Sequence, residues 1–150
     1  MEGVHDMNVN IEFMQKFHLA YSSMCKPLCQ KVNLPQTAFD ILMFFGNNPE
    51  YQTARDVVEI RKIKANLVSV NVDKLVHEGY LERQEAPDDR RKTLLSCTEK
   101  AGPIIAQGRS IQEHFRDSLL EGTDEQSKEL FYHMLHVMEK NMDEILKGEK

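Results

Sequence analysis

The chain has 150 residues, 41% of them apolar and 29% charged, with a formal net charge of −5. One domain with a real core is the default at that length. No apolar run reaches the roughly 18–20 residues of a membrane-spanning helix, and the opening MEGVHDMNVN lacks a secretory leader's pattern, so a cytoplasmic address is expected. The acidic balance argues against a surface coated all over by nucleic acid but leaves room for one basic face.

Ile11, Met14, Phe17, Tyr21, Met24, Leu28 and Val32 recur at spacings of three and four, which predicts an amphipathic helix. Pro27 falls inside it and removes a main-chain hydrogen bond, so a kink is expected near Met24 to Pro27. Pro35 is expected to open a second helix with the apolar body TAFDILMFF, and Gly46 with Pro49 to close it. Thr53 and Asp56 have the spacing of a capping box for a short helix to about Ile60. The connection RKIK leads to another helix ending at Glu78, with Gly79 placed as its left-handed cap. There Val68, Val72, Leu75 and Val76 form the inward stripe; Asn66, Val70 and Asp73 lie opposite, with Leu67 and Ser69 on the flanks.

LERQEA and TLLSC read as two short strands joined through the turn PDDRRK. Thr98 starts the next helix, with a first turn disturbed by Gly102 and Pro103 and a period of Ile104, Gly108, Ile111, Phe115 and Leu119. Gly122 breaks it. Thr123 and Gln126 predict a second capping box, and the last helix carries Leu130, Met134, Met138, Met142 and Ile145 before Gly148. The fold class is therefore α+β, mostly helical.

Charge is distributed unevenly along this order. Nine Lys/Arg face eight Asp/Glu from Thr53 to Lys92, against ten and sixteen in the remainder. A helix–turn–helix followed at once by a β-hairpin is a winged helix, whose second helix can enter a major groove while the hairpin reaches the neighbouring backbone or minor groove. At the tip, Arg90 and Arg91 suit a narrow, strongly negative minor groove, and Asp89 suits the task of holding an arginine in place beforehand. Composition alone also permits a merely solvated turn.

The residues from Asp56 to Gly102 resemble the MarR family of transcription regulators. The likeness is carried by Val72 to Leu75 with Gly79, Tyr80, Leu81 and Arg83, by the DRR of Asp89 to Arg91, and by Leu95 with Thr98 to Gly102. The flanking helices match in position and length, so the resemblance extends over nearly the whole chain. It implies a single domain over 1–150, with a winged-helix DNA-binding lobe over 34–98 and dimerisation helices over 8–32 and 99–147. It further implies a homodimer bound to a pseudo-palindromic duplex, with half-sites about one helical turn or roughly 34 Å apart, as a ligand- or stress-responsive repressor.

On that basis Lys64, Asn66, Leu67, Ser69 and Val70 are the candidates for base contact. Asparagine can pair with adenine, lysine with guanine or phosphate, and the apolar pair with thymine methyl groups. Val70 departs from the polar or basic residues the family carries on this face. Arg55, Arg61, Lys62 and Lys74 are candidates for phosphate contact, and Arg90, Arg91 and Lys92 for the wing.

The family responds to small aromatic molecules, oxidants or metals. Phe17, Tyr21, Met24, Met43, Phe44 and Phe115 are candidates to line an effector pocket, with core packing as the competing explanation. Cys25 and Cys29 are the redox candidates, although free cysteines are more often small buried hydrophobes. His18, His114, His133 and His136 make no convincing metal set. No cofactor is expected. No phosphate loop, nucleophile elbow or H-E-x-x-H points to an enzyme. The alternative to DNA binding is a winged helix that binds protein, which has no need of DRR at the hairpin tip.

Overall fold

A computed structural model describes residues 7–150, with side chains from Ile11 onward, so the opening decapeptide lies outside the described residues or is described by main chain alone. The elements are α1 (Met7–Val32), α2 (Gln36–Asn47), α3 (Ala54–Arg61), α4 (Ala65–His77), β1 (Leu81–Ala86), β2 (Asp89–Cys97), one 3-10 turn (Glu99–Ala101), α5 (Gly102–Leu119) and α6 (Glu125–Leu146). This is the expected mostly helical α+β order, with β1 and β2 antiparallel in a two-stranded sheet. Two compact units divide the chain, one ending at Glu113 and the other running from His114 to Lys150.

In the first unit α2 is the central core element, burying Ala38, Phe39, Ile41, Leu42, Met43, Phe44 and Phe45. Each large side chain of this set stabilises the fold by about 1.5–3 kcal/mol through its burial. The N-terminal part of α5 packs closely on it. A Cβ at Gly108 would run into the Met43 sulfur and lie 3.1 Å from the Phe39 ring, and one at Gly46 would lie 2.9 Å from Ile105. Gly46 is therefore a residue of close approach inside the helix, not the helix stop its position in the sequence suggested. The helix ends one residue later, where Asn48 donates its main-chain N–H to the Phe44 carbonyl at 3.0 Å. Pro35 sits at the N-cap, one residue ahead of the helix it was expected to open.

α1 contributes Cys25, Leu28 and Cys29 to the same core and runs without interruption through Pro27. Its earlier turns leave Ile11, Phe13, Met14, Phe17 and Leu19 exposed. Tyr21 is tied to α5 by the Gln112 amide, which donates to the phenol oxygen at 3.1 Å. Arg109 anchors α5 to the end of α2, donating to the Gly46 carbonyl at 2.7 Å and to Asn47 Oδ1 at 2.9 Å.

The second unit presents a different picture. No residue of α6 is buried, although Leu130, Phe131, Met134, Leu135, Met138, Met142 and Ile145 all belong to it. Its N-cap is Asp124, whose carboxylate accepts from Ser127 N at 2.7 Å. Thr123 instead donates its hydroxyl to the Leu120 carbonyl, so the Thr123–Gln126 capping box is not formed. A carboxylate one residue on offers a full negative charge to the helix N-terminus and wins the position. No helix among the described residues is long and apolar enough to cross a membrane.

Candidate nucleic-acid interface

Local chemistry fixes the helix–turn–helix. Thr53 Oγ1 accepts from Asp56 N and Asp56 Oδ2 from Thr53 N, both at 3.1 Å, so the expected capping box starts α3. Lys62, with φ +55°, turns the chain through the left-handed region directly after α3. α4 ends in a Schellman motif: Gly79 has φ +82° and donates to Val76 O at 3.0 Å, while Tyr80 N donates to Leu75 O at 2.8 Å.

Burial of Val68, Val72 and Leu75 then decides which side of α4 faces out. Asn66, Leu67, Ser69, Val70 and Asp73 are exposed, Leu67 by 46% and Val70 by 65%. Asn71, a polar residue on the buried side, donates its amide to the Leu67 carbonyl at 2.8 Å. Lys64 is the exposed N-cap residue of α4.

Of the phosphate candidates, Arg61 and Lys62 are exposed. Arg55 donates to Glu59 at 2.7 Å, and the half-buried Lys74 lies 3.9 Å from Glu78. Surface pairs of this kind are weak, because solvent screens them, and they yield readily to a phosphate.

The hairpin differs from expectation in an informative way. PDDRRK is not a six-residue turn, because only Pro87 and Asp88 separate the strands. The register runs from Leu81↔Cys97 to Glu85↔Thr93 and then jumps to Ala86↔Asp89. Arg90, Arg91 and Lys92 thus have no cross-strand partner; they form a bulge on the returning strand, and all three are exposed. Asp89 also acts differently from the expected clamp on a guanidinium. Its carboxylate accepts from the main-chain N–H of Arg91 at 2.9 Å, shaping the backbone of the bulge. Neither guanidinium pairs with a carboxylate among the described residues.

Residues absent from the sequence-based site hold the wing to the helix pair. The guanidinium of Arg83 on β1 pairs with the Asp73 carboxylate on α4. Beside it, Leu95 N donates to the Gln52 carbonyl at 2.7 Å, joining β2 to the residues that lead into α3. Lys100 adds a further tie, donating to the Glu78 carbonyl at 2.6 Å with its ammonium 4.7 Å from the Tyr80 ring centre. Opposite charges at Asp73 and Arg83 were visible in the sequence, but their meeting depends on the sharp turn at Gly79.

The effector candidates differ in their surroundings. Met43 and Phe44 are buried in the core, the latter stacked on Tyr51 at 5.5 Å, as the core-packing explanation expects. Phe17 is exposed, Tyr21 and Met24 are half-buried, and Phe115 is buried. A cleft of about 720 Å³ along α1 and the α1–α2 turn contains none of the six; Ser22, Lys26, Asn33 and Lys74 are among its walls.

Burial pushes the Cys29 thiol up to about 11 and raises that of Cys25 as well. An oxidant sensor needs the opposite, a depressed thiol pKa with access to solvent. Among the described residues no group of three or more His, Cys, Asp or Glu is arranged to hold a metal ion.

Residues 32–92 match the sequence model of the MarR family. The HTH-type transcriptional regulator BilQ of Clostridium symbiosum is 20% identical over 127 residues, covering 85% of this chain and 88% of that protein. In fold, the chain is similar to a MarR protein from Peptoclostridium difficile, with a TM-score of 0.80 at 17% identity over 100% of this chain and 97% of the other. It is also similar to BpsR of Bordetella bronchiseptica, with a TM-score of 0.69 at 16% identity over 93% and 96% of the two chains. The chain is thus similar to MarR-family transcription regulators in the sequence of its helix–turn–helix and the start of its wing, and to solved members of that family in fold.

Proposed function

We propose that the protein is a homodimeric repressor that binds a pseudo-palindromic operator and is released by a small-molecule effector. The observation that carries the dimer is α6, whose large apolar side chains are all left in solvent. Exposed apolar residues on the early turns of α1 add to it. A second copy covering these faces accounts for apolar surface that a monomer leaves wet. The helices at the two ends of the chain then serve association, and the lobe between them serves DNA.

Within each lobe, α4 lies in a major groove with Asn66, Leu67, Ser69 and Val70 towards the bases and Lys64, at its N-cap, towards a phosphate. Arg61 and Lys62 meet phosphates, joined by Arg55 and Lys74 once their carboxylate partners release them. The Arg90–Lys92 bulge follows the adjacent minor groove. The free cationic bulge favours this reading over a protein-binding winged helix, since a polyanion is its natural complement. The effector reading draws on BpsR, whose DNA binding is regulated by 6-hydroxynicotinic acid. A small aromatic effector could reach the half-buried Tyr21 and Met24 on α1.

Light scattering at micromolar concentration, paired with titration of duplexes selected from a random pool, tests the reading. A dimer mass is expected, together with a palindromic selected site and affinity that falls as salt rises, because bound cations release counterions from the duplex. Arg91→Ala should weaken binding with little change in Tm. A monomer mass, or unchanged affinity in Arg91→Ala, would remove the dimer or the wing respectively.

A further inference from the structure

Resting on the reading that α4 enters a major groove, we propose that Leu67 and Val70 select thymine by its C5-methyl group, so that the half-site is defined by A·T pairs rather than by guanines. Three observations carry this. First, these two apolar side chains stand three apart on the exposed face of α4, and Val70 is the more exposed at 65%. A β-branched side chain in a helix holds essentially one χ1 rotamer, so Val70 presents a fixed apolar knob and loses little freedom on contact.

Second, the usual reader of guanine is missing. The sequence of α4, ANLVSVNVDKLVH, contains no arginine to make the two-pronged bond to O6 and N7. The lysine inside it, Lys74, is half-buried beside Glu78, its aspartate is held by Arg83, and Lys64 at the N-cap goes to a phosphate in this reading. The remaining exposed polar neighbours, Asn66 and Ser69, are neutral. An A·T pair fits this set, because adenine offers N7 and the N6 amine to Asn66 while thymine adds O4 and the methyl group.

Third, the apolar pair is bracketed by cations. Lys62 and Lys64 lie on one side of it in sequence, and Arg90 to Lys92 project from the wing. An apolar groove on a protein partner would leave those charges unmatched. A duplex supplies phosphates for the cations and methyl groups for the apolar pair.

The test uses full-length protein and two random duplex pools, one built with dTTP and one with dUTP. Uracil keeps every hydrogen-bonding group of thymine and lacks only the methyl. Selection from the first pool should give half-sites with invariant thymines that lose their invariance in the second. Rebuilding a selected duplex with uracil at those positions should weaken binding by about fourfold per methyl, the equivalent of one buried methylene. Val70→Ser should discriminate less than wild type, and the double variant Leu67→Ser/Val70→Ser should bind the thymine and uracil versions alike.

The same invariant positions in both pools, or equal wild-type affinity for the two versions, would overturn the methyl readout while leaving DNA binding intact. Discrimination as strong in Val70→Ser as in wild type would overturn the assignment to Val70, and discrimination that survives in the double variant would overturn the pair. Enrichment from neither pool would remove the DNA-binding reading itself.

Discussion

α2 and α6 are both rich in large apolar side chains, yet seven of the twelve residues of α2 are buried and none of the twenty-two in α6. The difference lies in what each meets. Glycines at 46 and 108 let α5 approach α2 to van der Waals contact, whereas α6 presents its stripe to solvent. An apolar period announces that a helix face is to be covered. It does not say whether the cover comes from the same chain or from another copy.

Three variants sharpen that contrast. Phe39→Ala, in the centre of the α2 core, should lower stability by about 3–5 kcal/mol through lost burial and a residual cavity. Chemical denaturation would measure it, and a loss below about 1 kcal/mol would mean that α2 is less central than its burial indicates. Met138→Glu on α6 should leave the fold of each chain nearly unchanged, within about 0.5 kcal/mol for a solvent-facing site. It should nevertheless abolish the rise of Tm with protein concentration expected of a dimer. If that concentration dependence persists, Met138 lies outside any subunit interface.

The smallest effect is expected at Asp40, on the less buried edge of α2. Desolvation raises its carboxyl pKa, opposed by the hydrogen bond from Gln36 and by the charges of Arg61 and His18. A raised pKa means that the folded chain holds the proton more tightly, so this residue's contribution to stability falls as pH rises from the ordinary carboxylate value through the raised one. Asp40→Asn should therefore give a slightly higher Tm at neutral pH and no gain in acid. A Tm difference independent of pH would assign the effect to packing instead.

Local signals were legible wherever a residue acts on its own neighbours. Thr53 with Asp56 and Gly79 after α4 did what their chemistry requires, because caps are settled within a few residues. The buried and exposed sides of α4 followed from the spacing of Val68, Val72 and Leu75. The sequence was ambiguous where two nearby residues compete for one task, as Thr123 and Asp124 did for the cap of α6. Distance in the chain hid the rest. Gly46 reads as a helix stop until Ile105 is seen beside it, and the Arg83–Asp73 pair exists only once β1 turns back along α4. The wing was misjudged for a related reason: a run of charges reads as a turn, while cross-strand pairing decides where the turn ends.

That hairpin divides its labour along its length. Near its base, the buried Leu81 and Leu95, with the bonds to Asp73 and Gln52, fix the alternation of both strands. The three surplus residues near its end belong to no rung of the ladder, and pairing resumes beyond them at Ala86 and Asp89. Their identity can therefore be rewritten without moving a single core side chain. Evolution, or an engineer, is free to retune what this arm touches while the scaffold beneath it stays the same.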